Sequence, residues 1–162
     1  MNMAFKASPR YRPEAEAAPT PKSDMEKNID GLRIIRKGRL DRKEADYRRA
    51  VNQYNTAKKA VTDAEKEIEE TRQNTTNEKN KMLKENLNLQ ITQSSLCQWM
   101  ERENHLDDMI TKSIQHKESK EKDRLSFKKV MDEKKQDYDK ALRGIEKLDI
   151  LKEEIRLENV NT

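Results

Sequence analysis

The side chains that most readily bind metals or act as nucleophiles are scarce in this 162-residue chain: two histidines, His105 and His116, and one cysteine, Cys97. The histidines share a helix face but stand eleven residues apart. Helix rise turns that spacing into roughly 16 Å, too far for both to ligate one metal. Glu101 lies a turn before His105 and Asp108 follows it closely. No second histidine or inward-facing carboxylate set joins them, as a di-iron helix bundle requires. Cys97 has no plausible base paired with it, no G-x-S-x-G elbow occurs, and three scattered glycines cannot supply the amides of a phosphate cradle. The pattern predicts a protein that is not an enzyme and takes no metal or other cofactor.

Recognition chemistry is more concentrated. Arg33, Arg36, Lys37, Arg39, Arg42 and Lys43 crowd one short stretch, where Ile34 and Ile35 stand beside Ile29 and Leu32. Far along the chain, Ile150 and Leu157 lie off the stripe of Leu148, Leu151 and Ile155. Either an apolar stripe widens here as two helices splay, or this end is a docking surface for an acidic partner. A second concentration gathers Met82, Leu83, Leu87, Leu89, Ile91, Leu96, Trp99 and Met100 around the middle of the chain. It reads as a plug that closes a chain reversal, as an exposed Trp and Met surface for another protein, or as both.

Composition limits the scaffold that can carry these groups. Charged residues make up 41% and apolar residues 32% of the chain, too little apolar surface for a globular core. One Trp, four Tyr, two Phe and three Gly leave little for sheets, tight turns or ligand pockets. The 35 basic residues are interleaved with 31 acidic ones, which argues against a dedicated nucleic-acid binder. Asp41, Glu44 and Asp46 likewise dilute the stretch from Arg33 to Arg49 as a site for nucleic acid or an anionic membrane. A single cysteine cannot close an internal disulfide, and no apolar run reaches the ~18 residues of a membrane span. Residues 1–12 lack the apolar core of a secretory signal, so the sequence predicts a cytoplasmic protein.

All four prolines, Pro9, Pro13, Pro19 and Pro21, precede Lys22, and residues 1–22 are expected to form a disordered arm. Ser23 followed by Glu26 is a capping pair that starts helix one. From Leu40 the apolar residues step by three and four: Tyr47, Ala50, Tyr54, Ala57, Val61, Ala64 and Ile68, continued by Thr71 and Thr75, with Lys43 the one break. Small alanines at alternate positions admit a neighbouring helix closely. Phe127, Met131, Lys134, Tyr138, Ala141, Ile145, Leu148, Lys152 and Ile155 repeat the spacing and supply that neighbour. Between them Leu87, Leu89 and Ile91 alternate with polar residues, a period no helix face shares. Ser95 and Gln98 offer a second capping pair.

The predicted fold is therefore all-α, two long antiparallel helices forming a coiled-coil hairpin, with helix one at 23–85, a turn at 86–94 and helix two at 95–159. Residues face one another when their numbers add to roughly 180, and each arm is ~90 Å long. The charged stretch from Lys117 to Arg124 separates Ile114 from Leu125 by eleven residues, a spacing expected to change the local supercoil and weaken the middle. A rival arrangement pairs the stripe with a second chain, making a generic coiled-coil scaffold or chaperone-like adaptor.

The basic first turns Leu32-Arg33-Ile34-Ile35-Arg36-Lys37, the long heptad arm, and Leu96-x-x-Trp99 leading into Leu106 and a second arm resemble the YscO family of type III secretion stalk proteins. The likeness runs from Met25 to Glu158 and extends more distantly to the flagellar export protein FliJ. It implies a cytoplasmic hairpin, monomeric in isolation, at the cytoplasmic face of an inner-membrane secretion apparatus. The end that carries both termini would enter the pore of a hexameric secretion ATPase, through Arg33, Ile34, Arg36, Lys37, Arg39, Arg42, Ile150 and Leu157. The opposite end, with Leu87, Leu89, Ile91, Leu96, Trp99 and Met100, would address the export gate or chaperones that escort translocator subunits. Neither nucleic acid nor direct membrane insertion is implied.

Overall fold

The structure is a computed structural model that describes residues 22–87 and 89–161. The Pro-rich stretch expected to be disordered lies outside the described residues, apart from Lys22. The described chain is two helices, α1 (Asp24–Asn86) and α2 (Gln93–Asn161), packed antiparallel as a hairpin. Their 63 and 69 residues make the arms ~95 and ~104 Å long. No strand occurs among the described residues, and no helix is long and apolar enough to cross a membrane.

Each end of α1 has a local cause. Ser23 is extended, with φ −61° and ψ 159°, and its Oγ accepts a hydrogen bond from the Glu26 amide at 3.3 Å. Asp24 and Glu26 place negative charge in the first turn, where the helix dipole favours it. At the other end Asn86 Nδ2 donates to the Met82 carbonyl at 2.8 Å, satisfying one of the last acceptors. α2 begins before the expected start at 95, and its cap is not the expected Ser95 and Gln98 pair. Thr92 is the cap: its Oγ1 accepts from the Ser95 amide at 3.1 Å, and its carbonyl accepts from the Leu96 amide at 3.0 Å. Ser95 is thus the receiver of the cap, because a hydroxyl one turn earlier reaches its free amide first.

The seam follows the expected steps along α1. Leu40, Ala50, Ala57, Val61, Ala64 and Thr75 are buried, and the stripe runs on to Ile29 at one end and Met82 at the other. Several cross-helix pairs fix the register. Tyr47 and Tyr138 stack with ring centroids 6.1 Å apart and planes 11° from parallel, in the offset range that aromatic pairs favour. Further along, the Thr71 and Ser113 hydroxyls meet at 3.4 Å. The same register sets Leu40 level with Ile145, Ala57 with Phe127 and Ala64 with Lys120.

The charged stretch of α2 does not alter this pattern. Lys117, Lys120 and Arg124 occupy seam positions in unbroken steps of three and four from Ser113 to Phe127, and each is half-buried. Leu125 points outward. The eleven-residue gap from which a change of supercoil was expected is therefore not a gap in the seam, because long basic side chains lay their methylene stems along it and carry their charges to its rim. Lys117 reaches Glu65 at 3.5 Å, and Arg124 bonds Glu121 within its own helix. Leu151, read from sequence as part of the stripe, is exposed on its flank, while Leu148, Lys152 and Ile155 hold the seam.

Two substitutions test this core. Leu148→Ala removes a buried side chain and is expected to cost about 2–4 kcal/mol. Lys120→Leu, which fills a seam position beside Ala57 and Phe127, is expected to stabilise by about 1 kcal/mol. Denaturant unfolding followed by circular dichroism measures both, and a destabilised Lys120→Leu variant would contradict the seam assignment.

Candidate functional site

The seam leaves two edges along the hairpin. One runs through Asp30, Glu65 and Lys79 of α1 and Asp107 and Asp149 of α2; the other runs through Met25, Leu32 and Arg39 of α1 and Asp137, Gly144 and Leu151 of α2. Among the described residues, four ion pairs join the helices, and all use the first edge. They are Asp30–Lys152 at 2.5 Å, Arg33–Asp149 at 2.8 Å, Lys79–Asp107 at 2.9 Å and Lys117–Glu65 at 3.5 Å.

At the end carrying both helix termini, the expected docking residues divide into two groups. Arg33, Arg36 and Lys37 are engaged inside the hairpin: Arg33 with Asp149, Arg36 Nη1 donating to the Gly144 carbonyl at 2.9 Å, and Lys37 with Asp41 at 3.3 Å. Arg39 and Arg42 are exposed and make no ion pair with a described residue. Ile34 is 74% exposed, and Ile35, Ile150 and Leu157 also face outward. The stripe does not simply widen here. Ile29, Ile145 and Leu148 fill the seam, while these isoleucines and leucines stand outside it.

Asp30 is the most strongly perturbed group at this end. A hydrogen bond from Lys152 and a second from Lys22 hold its carboxyl down from 3.8 to about 2. Hydrogen bonds to carboxylates also raise Arg33, through Asp149, and, toward the other end, Lys79, through Asp107.

At the tip, the reversal is built from residues 87–92 without glycine, and no described residue has a positive φ. Of the expected apolar cluster only Met82 is buried, and Trp99 is half-buried. Leu87 and Leu89 are 73% and 64% exposed, and Leu83, Ile91, Leu96 and Met100 also face outward. The plug reading fails for these side chains. They form an exposed apolar surface at the tip, while Met82 is buried and Trp99 half-buried.

Sequence reasoning missed part of each end. Met25 and Val160, which carried no signal, and Leu151, read as part of the stripe, join Leu32 in the exposed apolar surface beside the termini. Lys140, Arg143 and Lys147 of α2 line one groove with Arg36, Arg39 and Lys43 of α1. The three α2 cations carried no linear signal, because they stand three and four residues apart among apolar residues and Glu146, and only the fold gathers them opposite α1. No group of three or more His, Cys, Asp or Glu side chains is placed to hold a metal among the described residues. No family model matches the chain, and neither a curated protein nor a solved structure matches it.

The Asp30 cluster sets a pH dependence. Its folded carboxyl titrates below its ordinary value, so its contribution to stability is complete above about pH 4 and is lost as the pH falls toward about 2. Thermal melts between about pH 5 and pH 2 are expected to show a steeper acid loss for the native chain than for Asp30→Asn. Equal slopes would remove the cluster from the account of stability.

Proposed function

We propose that this chain is a non-catalytic central-stalk component of a bacterial type III secretion apparatus, coupling a hexameric secretion ATPase to the export gate at the cytoplasmic face of the inner membrane. The observation that carries the reading is the separation of two exposed apolar ends by a rod ~95 Å long whose sides are mostly charged. Ile34, Ile150 and Leu157 stand at one end, and Leu87, Leu89 and Ile91 at the other. A two-helix rod transmits displacement or torque better than a flexible linker, and each end offers contact area that the seam does not use. The residue pattern from Met25 to Glu158 that resembles the YscO family supports the same reading.

In this reading the terminal end, with Arg39, Arg42 and Ile34, meets the ATPase ring. The tip, with Leu87, Leu89, Ile91, Leu96, Trp99 and Met100, meets the gate or an export chaperone. The packing of one stripe on the other within a chain supports a monomer in isolation. It disfavours the scaffold alternative, in which the stripe is left for a second chain.

Two variant sets separate the ends. Ile34→Ser with Arg42→Glu and Leu157→Ser alters exposed positions only, so helicity stays unchanged while co-purification of the cognate ATPase falls. Leu89→Ser with Ile91→Ser is expected to lower export with ATPase binding retained and with stability within about 0.5 kcal/mol of the native chain. Full export by both variant sets would dismiss the stalk reading.

A further inference from the structure

The edge that carries no cross-helix ion pair among the described residues gathers six cations in one groove. A groove of about 670 Å³ is lined by Arg36, Arg39 and Lys43 from α1 and by Lys140, Arg143 and Lys147 from α2, with Asp137 as its one acid. On each helix the three cations follow steps of three and four residues, so they stand about one turn apart along the groove. The register sets them in three successive levels: Arg36 across from Lys147, Arg39 from Arg143, and Lys43 from Lys140. None of the six takes part in an ion pair with a described residue. Arg36 is held by the Gly144 carbonyl at 2.9 Å, and Arg143 Nε reaches the Asp139 carbonyl at 3.4 Å, both neutral acceptors.

This arrangement reverses the rule followed elsewhere in the molecule. Along the opposite edge acids of one helix meet bases of the other, as Asp30 meets Lys152 and Lys79 meets Asp107. Here like charges face one another at three levels, a pattern that disfavours the hairpin by itself and that an added anion would relieve. One turn beyond Arg36 the same edge becomes mainly apolar: Met25 and Leu32 of α1 and Leu148, Leu151 and Ile155 of α2 line the adjoining groove, with Glu154 and Glu158 as its acids. The two grooves form one track ~27 Å long, apolar beside the helix termini and basic farther in.

We propose that this track binds a single helix of a partner protein, whose apolar turns lie against Met25, Leu32 and Leu151 and whose next turns present carboxylates to the six cations. A helix fits because its side chains recur at the same three- and four-residue steps as the cations, and because an edge of a two-helix pair receives a third helix in ordinary bundle packing. Charge selects the partner: acidic turns neutralise the facing cations, and apolar turns cover Leu32 and Leu151. The inference stands on the groove alone and holds whether or not the chain is a secretion stalk.

The test uses the full chain and a fluorescent, helix-stabilised peptide of about 20 residues, long enough to cover the track. Leucines at heptad spacing fill one half and glutamates at steps of three and four fill the other, and both orders of the halves are made. At least one order is expected to bind by fluorescence anisotropy, with affinity falling as salt rises. Arg39→Gln with Lys140→Gln and Arg143→Gln should weaken it roughly tenfold or more, with helicity unchanged by circular dichroism. The same chain with Glu at those three positions should instead bind the peptide carrying Lys for Glu. Failure of both orders to bind, equal binding by the Glu→Gln peptide, or indifference to the three substitutions would overturn the proposal. So would duplex DNA or inorganic polyphosphate competing as well as the acidic peptide, since that would make the groove a general anion site.

Discussion

Packing of the α1 stripe on the α2 stripe is the one large burial of apolar surface among the described residues, and the rest of the hairpin depends on it. An isolated helix of this composition is marginal in water, because propensity and surface ion pairs do little more than offset the entropy of ordering. Two helices that share a seam bury a thin line of side chains instead of a core, and among the described residues none is completely buried. Stability is therefore distributed by level along the rod. Levels near the termini pair Leu40 with Ile145 and stack Tyr47 on Tyr138. Levels in the middle set Val61, Ala64 and Ile68 against Arg124, Lys120 and Lys117, and Thr71 against Ser113. Local opening should begin in that middle section.

How far the sequence reveals such a molecule follows from which interactions are local. The stripe from Leu40 to Thr75 was readable because a repeat of three and four is a property of one helix, and burial follows it residue by residue. The α2 seam was harder to read because Lys117, Lys120 and Arg124 are seam residues by position and surface residues by charge. Only the register, set by α1, shows that their stems are enclosed. The cap at Thr92 was obscured by Ser95 and Gln98, a plausible pair three residues further on. Alternation at Leu87, Leu89 and Ile91 correctly marked the end of helical periodicity, but periodicity carries no information about what covers a side chain. Burial at the tip is a tertiary fact.

The inequality of the two edges is also invisible in linear sequence. Basic and acidic residues alternate closely through both helices, and the net charge of +4 suggests no concentration. Folding sorts them. Antiparallel pairing brings Asp30 to Lys152 and Arg33 to Asp149 on one edge, while the reverse flank brings Arg39 toward Arg143 and Lys43 toward Lys140. Exposed ion pairs add little to stability individually, but they decide which alignments are permitted. A slip of one seam step would pull Asp30 from Lys152 and Lys79 from Asp107 together, so the paired edge fixes the register and leaves the unpaired edge free for other contacts.

A weak middle and exposed ends are compatible with a rod that carries mechanical information. Loss of seam contacts near Lys120 leaves the internal hydrogen bonds of each helix intact, so the arms keep their length even where they part. Bending stiffness falls locally, while the axial length of each helix is kept. Tight packing near the termini, where Ile29, Leu40, Ile145 and Leu148 are buried, holds the exposed Ile34, Ile150 and Leu157 in fixed relative positions. The tip has no equivalent of this packing beyond Met82 and Trp99, so its apolar cap can adjust to what it meets. The two ends thus differ in how firmly the seam beneath them is packed, with four buried apolar side chains under one and Met82 and the half-buried Trp99 under the other.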